Sequence, residues 1–445
     1  MEKTENQQVR FDRALTTAIE YVATREWPTV PVIVQDIYGR IRLAVDDRAV
    51  SLSEPERGEI ERRSTELASQ LGLYAARPTA PLYGSTLFAP DEVFASTRIL
   101  TCRESSRPVQ VLDRQLSGHD WLVAPGRPGP SDTVRATLYG VKGGVGRSTL
   151  LAIWAWDLAR NGRRVLVLDL DLESPGVGST LLPAGDITPD YGLVDWFVED
   201  AVGQADDLLE DLIIRSPLCR AEAGEILVAP AAGCKGRLFL PKLARAYASI
   251  ASGSEVSDFA SRLVRLVKSL EDICHPDVVL LDSRAGLHDI AAVAITQLDA
   301  LALLLTVNSV QSWQAYKLLF QHWKRFPEYT RRFRDRLQMV AALVPETSRE
   351  DYIDDFRENA YKLFLDHLYE EECAGDELAV DAFNYSLADS DAPHAPWCVY
   401  WSRAFQEFDP YRRPDLLSEQ QVSATYGDFL RRANQVLEIT DGEAQ

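Results

Sequence analysis

Most of the chemistry this sequence offers sits in one run, Tyr139-Gly-Val-Lys142-Gly143-Gly144-Val145-Gly146-Arg147-Ser148-Thr149. Glycines at this density let backbone N–H groups turn inward with no Cβ in the way. Amides so turned, leading into a helix N-terminus, bind phosphate oxygens. Ser148 stands where the hydroxyl of such a loop ligates Mg²⁺. A flexible glycine linker is the plain alternative. The apolar run before the loop, Ala136 to Tyr139, and the helical pattern after it, Ser148 to Arg160, argue against that alternative.

Two further apolar runs end in carboxylates. Val165-Leu-Val-Leu-Asp169-Leu-Asp171 is one, and 24 residues separate Arg147 from Asp171, room for one helix and one strand. Val278-Val-Leu-Leu-Asp282-Ser283-Arg284-Ala285-Gly286 is the other. Parallel α/β sheets gather ligands at the C-terminal ends of their strands. Asp169, Asp171 and Asp282 are therefore placed where such a sheet would hold a ligand. His288-Asp289 and Cys274-His275 could also do chemistry. A solvated loop accounts better for the first and a core cysteine beside a loop histidine for the second.

With its early lysine, K-G-G-x-G-x-S-T resembles the deviant phosphate loop of the ParA/MinD ATPases. That resemblance covers roughly residues 134 to 345. It implies a mostly parallel α/β sheet with helices on both faces, ATP and Mg²⁺ as cofactors, and a nucleotide-dependent homodimer. It assigns Lys142 to the partner subunit's nucleotide across the dimer. Asp171 becomes the carboxylate that positions the attacking water, and Ser148, Asp169 and Asp282 belong to the metal shell. Gly143, Gly144, Val145, Gly146, Arg147, Ser148 and Thr149 line the phosphates with Lys142. Two positions depart from the family: Arg147 replaces the usual loop lysine, and Arg284 replaces a proline after the second aspartate. Arginine keeps the charge but is planar and bulkier, which puts the hydrolysis rate in question. The K-G-G-V-G-R form resembles a subgroup found near bacterial conflict and defence genes. The adenine wall is expected near Val344-Pro345 and within Leu387 to Pro393.

The surrounding elements fit this picture. Short apolar runs at Ile226 to Ala229, Leu301 to Val307 and Met339 to Val344 alternate with helical stretches such as Phe259 to Leu270 and Trp313 to Trp323. That alternation predicts a mostly parallel sheet covered on both faces. Residues 350 to 445 read as helix-rich, with a capping box at Ser418-x-x-Gln421. Residues 1–128 read as a separate α+β module, regulatory or partner-binding. Its helices are expected around Phe11 to Val22 and Ser53 to Gly72, with two strands hinged at Tyr38-Gly39, while residues 73 to 125 look less regular. A Pro/Gly-rich linker, Ala124 to Ser131, separates it from the domain at 134–445.

Composition narrows the function. The net charge of −20 disfavours a broad nucleic-acid footprint. Six scattered cysteines, Cys373 among them, form no C-x-x-C pair and predict a reducing compartment. The polar N-terminus and the lack of a long apolar run predict a cytoplasmic chain without a membrane anchor. None of the eight lysines lies two residues before an aspartate, as a guanine-reading N-K-x-D motif requires, so ATP is preferred over GTP. The expected function is an ATP-driven dimer switch acting on an unknown protein partner. The alternatives are a non-hydrolysing ATP-binding scaffold and a DNA- or membrane-positioning ATPase.

Overall fold

The computed structural model describes residues 9–48, 50–96, 99–102, 107–115, 118–122, 133–183, 188–219, 224–234, 238–252, 255–370 and 382–443. The Ala124–Ser131 linker and Cys373 lie outside them. Internal contacts divide the chain into two compact units, Met1–His119 and Asp120–Gln445.

The first unit contains α1 (Phe11–Ala23), β1 (Val32–Gln35), β2 (Ile41–Val45), α2 (Glu54–Leu71), β3 (Leu82–Tyr83), α3 (Asp91–Phe94), β4 (Ile99–Cys102) and β5 (Val109–Asp113). Its five-stranded sheet runs β3-β2-β1-β5-β4. Side chains alternate across the pleat. Ile33, Leu43, Val109 and Val111 pack with Ala14, Leu15, Val22 and Leu67 from the two long helices. Val32, Val34 and Leu112 face the other way, with Val93. Helix α2 starts at a capping box, where Ser53 N donates to the Glu56 carboxylate at 2.8 Å. The stretch that reads as irregular holds β3, β4 and β5, too short for periodicity to reveal.

The second unit carries β6 (Val134–Tyr139), α4 (Arg147–Arg160), β7 (Arg164–Asp169), α5 (Val177–Leu181), α6 (Leu193–Asp200), β8 (Ile214–Arg215), β9 (Glu225–Ala229), α7 (Phe239–Ala246), β10 (Ile250–Ser252) and β11 (Glu255–Ser257). It continues with α8 (Phe259–Cys274), β12 (Val278–Asp282), α9 (Asp289–Thr296), β13 (Leu301–Thr306), α10 (Val310–Lys324), α11 (Pro327–Thr330), β14 (Leu337–Val344), α12 (Arg349–His367), β15 (Trp397–Tyr400) and α13 (Glu419–Glu443). Eight strands form one sheet in the order β15-β14-β13-β6-β12-β7-β9-β8, and β10 pairs with β11 apart from it. Every neighbouring pair in the large sheet is parallel except the edge pair β8–β9.

Helices on both faces explain strands that are apolar at every position. Val165 and Val167 join the core under α4 and α13. Leu166 and Leu168 join the opposite core, with α6, α8 and α9. Helix α4 is fixed from outside: the Trp154 ring meets Phe429 edge-on at 5.4 Å, and its Nε1 donates to Asn434 Oδ1 at 3.0 Å. Asp120–Leu122 belong to this unit. Trp121 is buried against Tyr139 and Trp323, and its carbonyl accepts from Trp323 Nε1 at 3.1 Å.

The helix-rich C-terminal region also contributes the parallel edge strand β15, Trp397-Cys-Val-Tyr. Two sequence expectations need correction. Segment 387–393 precedes that strand. Pro393 O accepts from Met339 N near the start of β14, at the end of the sheet away from the phosphate loop, so this segment does not wall an adenine site there. The residue that emerges at the loop's end is Trp401, whose amide donates to Val344 O at 2.8 Å. The Ser418 box also stays open, since Gln421 Oε1 is buried without a hydrogen-bond partner.

A buried ion pair ties the start of β6 to α8. Arg135 Nε and Nη2 each donate to Glu271 at 2.6 Å, and Nη1 donates to Leu298 O at 2.9 Å. Removing one partner strands a buried charge. Glu271→Ala is expected to destabilise the protein by about 3–5 kcal/mol in urea unfolding. The pair Arg135→Met with Glu271→Leu should cost less than Glu271→Ala alone, and a larger loss in the double variant would contradict this account.

Candidate functional site

The central strand β6 delivers the glycine loop to the C-terminal edge of the sheet. Gly146 caps α4 with φ +79°, a left-handed conformation that a side chain rarely adopts. The first intrahelical bond runs from Leu150 N to Gly146 O at 2.9 Å. The amides of Arg147, Ser148 and Thr149 therefore precede the helix ladder and head toward the loop. A Cβ built on Gly143 or Gly144 meets nothing within 4 Å, so both positions face open space. Gly140 is different: a Cβ there would meet Leu305 O at 3.3 Å and Lys142 O at 3.1 Å, which holds the loop close to β13.

Strand register brings the carboxylates together. In the parallel pair β7–β12, Asp169 stands opposite Asp282, and Leu138 of β6 stands on the other side of Asp282. Both carboxylates are fully buried. Arg147 points inward from the first turn of α4 and joins two of the acids. Its Nε donates to Asp282 Oδ1 at 2.8 Å and its Nη2 to Asp171 Oδ2 at 2.9 Å. Asp169 instead accepts the amides of Gly176 and Gly178, both at 3.1 Å. Burial, reinforced by the charge of Asp282, pushes Asp169 up to about 8. Burial also raises Asp171, against the downward pull of Arg147.

Ser148 is half-buried, and its Oγ would lie 3.5 Å from a Cβ on Gly176, on the side of the loop that faces Asp169. Lys142 is exposed. Thus Arg147, Ser148, Asp169, Asp171 and Asp282 converge, while Lys142 stands at the outer rim. Of the other residues that sequence singles out, His288 caps α9, with Nδ1 accepting from Ile290 N. His275 is the left-handed C-cap of α8 beside buried Cys274. Both cap their helices, and His288 Nε2 also lies 3.7 Å from Glu173 Oε1.

Sequence reading missed Glu173 and Tyr247. The Tyr247 hydroxyl donates to Glu173 Oε1 at 2.6 Å, and Arg284 Nη1 reaches the same oxygen at 2.5 Å. Glu173 lies two residues past Asp171, which was the available signal. Tyr247 follows α7 and carries no motif.

The donor set fits a phosphate chain with its Mg²⁺. Asp169 Oδ1, Asp171 Oδ1, Asp282 Oδ2 and Ser283 Oγ are all buried without hydrogen-bond partners among the described residues. Among the described residues, no group of three or more His, Cys, Asp or Glu side chains forms a metal site of its own. Mg²⁺ suits such a place, because it keeps waters and binds through one or two protein oxygens plus phosphates.

The raised Asp169 sets a pH dependence. Its folded value lies above the unfolded one, so its contribution is complete below about 4 and is lost as pH rises toward about 8. Without nucleotide or Mg²⁺, the wild type should lose stability relative to Asp169→Asn by up to about 1.4 kcal/mol per pH unit between pH ~6 and ~8, then level off. Urea midpoints that run parallel across that range would contradict the assignment.

Comparison with known proteins gives one family match and a set of similar solved structures. Residues 134–174 match the family model described as cellulose biosynthesis protein BcsQ. No curated protein matches the chain. Similar solved structures include MinD with Mg-ADP from Pyrococcus horikoshii OT3, at 18% identity over 69% of this chain and 99% of that one, with a TM-score of 0.39. The MinC:MinD complex of Aquifex aeolicus matches at 16% identity over 68% and 96%, with a TM-score of 0.40. A ParA family ATPase from Chlorobium tepidum TLS matches at 18% over 52% and 81%, with a TM-score of 0.37. These structural scores are low, and the matched segment carries the weight. That segment runs from β6 through the glycine loop and α4 to the Asp169–Asp171 turn, so the match falls on the phosphate-loop part of the site.

Proposed function

We propose that this protein binds Mg-ATP at the Lys142–Thr149 loop, hydrolyses it slowly, and uses the nucleotide to gate a homodimer that acts on a partner protein. The observation that carries the reading is the convergence of Arg147, Asp171 and Asp282 at the mouth of the loop. Phosphoryl transfer asks a protein mainly for positioning and charge neutralisation. Loop amides and Arg147 would neutralise the phosphates. Ser148 and Asp282 would hold Mg²⁺, with Asp169 behind them, and the metal would supply charge stabilisation on the phosphate oxygens. Asp171 would orient the attacking water once Arg147 turns toward phosphate. Exposed Lys142 is free to cross to a second subunit.

Arg147 favours a second reading, a switch that binds ATP without useful turnover. Its guanidinium is spent on two carboxylates, and nucleotide must compete for it. The partner would be a protein, and the resemblance of the K-G-G-V-G-R loop suggests a bacterial conflict or defence system as its setting. Among the described residues no helix is long and apolar enough to cross a membrane.

Lys142→Ala is expected to abolish ATP-dependent dimerisation and to lower turnover by about 100-fold or more, with ATP binding to the monomer retained. Asp171→Asn should lower turnover by about 100-fold while leaving the ATP-dependent dimer intact. Steady-state phosphate release and solution mass, each with and without Mg-ATP, test both. A wild type that binds Mg-ATP and dimerises without releasing phosphate establishes the second reading instead. A mass unchanged by nucleotide removes the dimer switch.

A further inference from the structure

The segment after Asp282 carries an arginine that the reading above leaves unused. Arg284 is one-third exposed, and among the described residues its single ion-pair partner is Glu173, through Nη1. Arginine offers five N–H donors in a planar fork, so most of this fork is unspent. The Glu173 end is equally incomplete. Its Oε1 takes Arg284, the Tyr247 hydroxyl and, at 3.7 Å, His288 Nε2. Its Oε2 is buried with no hydrogen-bond partner.

The backbone under Arg284 is bonded to the strand and residue that open the phosphate loop. Ser283 N donates to Leu138 O at 3.3 Å, and Gly286 N donates to Gly140 O at 3.1 Å. Gly286 takes φ +89°, which lets the chain turn back there. Arg284 therefore stands on a turn at the rim of the same site, close enough for its charge to act on Asp171. Glu173 lies on the Asp171 turn, where Ser174 N donates to Asp171 O at 3.1 Å.

We propose that Arg284 senses the terminal phosphate of a bound nucleoside triphosphate, and that Glu173 holds its guanidinium in reserve until that phosphate arrives. A terminal phosphate offers oxygens for the forked, charge-assisted pair that Glu173 provides only through one atom. A diphosphate leaves the third position empty and does not draw Arg284 away. Release of Glu173 then frees the Asp171 turn, which couples nucleotide state to the water-orienting carboxylate. The inference deepens the Mg-ATP reading and depends on it.

The test is calorimetric affinity for a non-hydrolysable ATP analogue and for ADP, each with Mg²⁺, in wild type, Arg284→Ala, Arg284→Lys and Glu173→Gln. Arg284→Ala should weaken the triphosphate by about 10-fold or more and change ADP by no more than about 3-fold. Arg284→Lys should recover part of the preference. Glu173→Gln, which keeps the Tyr247 bond, should tighten the triphosphate by a few-fold and leave ADP unchanged. Equal weakening of both nucleotides by Arg284→Ala, or an unchanged ratio, overturns the sensor and leaves Mg-ATP binding standing. A wild type that binds neither nucleotide overturns the Mg-ATP reading and the sensor together.

Discussion

Parallel pairing of β7 with β12 puts the carboxyl ends of Asp169 and Asp282 side by side in a fully buried place, with Asp171 one turn beyond. Like charges this close, away from water, cannot all stay ionised without a cation among them. The structure meets the constraint in two ways. Burial and the charge of Asp282 push Asp169 up to about 8, against the two backbone amides that favour its ionised form. Asp282 and Asp171 share the Arg147 guanidinium. The glycine loop, the start of α4 and the Asp171–Ser174 turn are all held where this arrangement needs them.

A fork suits that task better than an ammonium would. Arginine presents Nε and Nη2 in one plane at fixed spacing, and here they bind separate carboxylates. Arginine in place of a loop lysine therefore has a structural use: it joins the loop helix to both acidic strands. It also fixes a cost, because the cation that a phosphate chain needs is already engaged. The same pattern recurs at the rim, where Glu173 engages Arg284. Both arginines of the site rest on carboxylates, which favours a protein whose resting form is well held and whose nucleotide-bound form must be reached by exchange of partners.

Much of this was legible in the residues. Gly144, Gly146 and the strand before them announced the loop, and Val165-Leu-Val-Leu announced a strand buried on both faces. Asp169, Asp171 and Asp282 were found by their place at strand ends, a signal that survives because parallel sheets gather chemistry there. The pairing of Arg147 with the acids was hidden, since it depends on which strands are neighbours; β12 lies between β6 and β7, and order in sequence says nothing of that. Strand β15 was hidden for a different reason. Four residues, Trp397 to Tyr400, are too few to show a period, and missing them misplaced the expected adenine wall. Glu173 and Tyr247 are joined across 74 residues by a hydrogen bond that no local pattern encodes.

The account turns on Arg147 exchanging carboxylates for phosphate. A crystal structure of the protein with Mg²⁺ and a non-hydrolysable ATP analogue tests it most directly. The account predicts the phosphates within the Lys142–Thr149 loop, Arg147 turned onto them, and Asp171 released to face the terminal phosphate. Nucleotide bound in that loop with Arg147 still bridging Asp171 and Asp282, or nucleotide bound elsewhere, would contradict it.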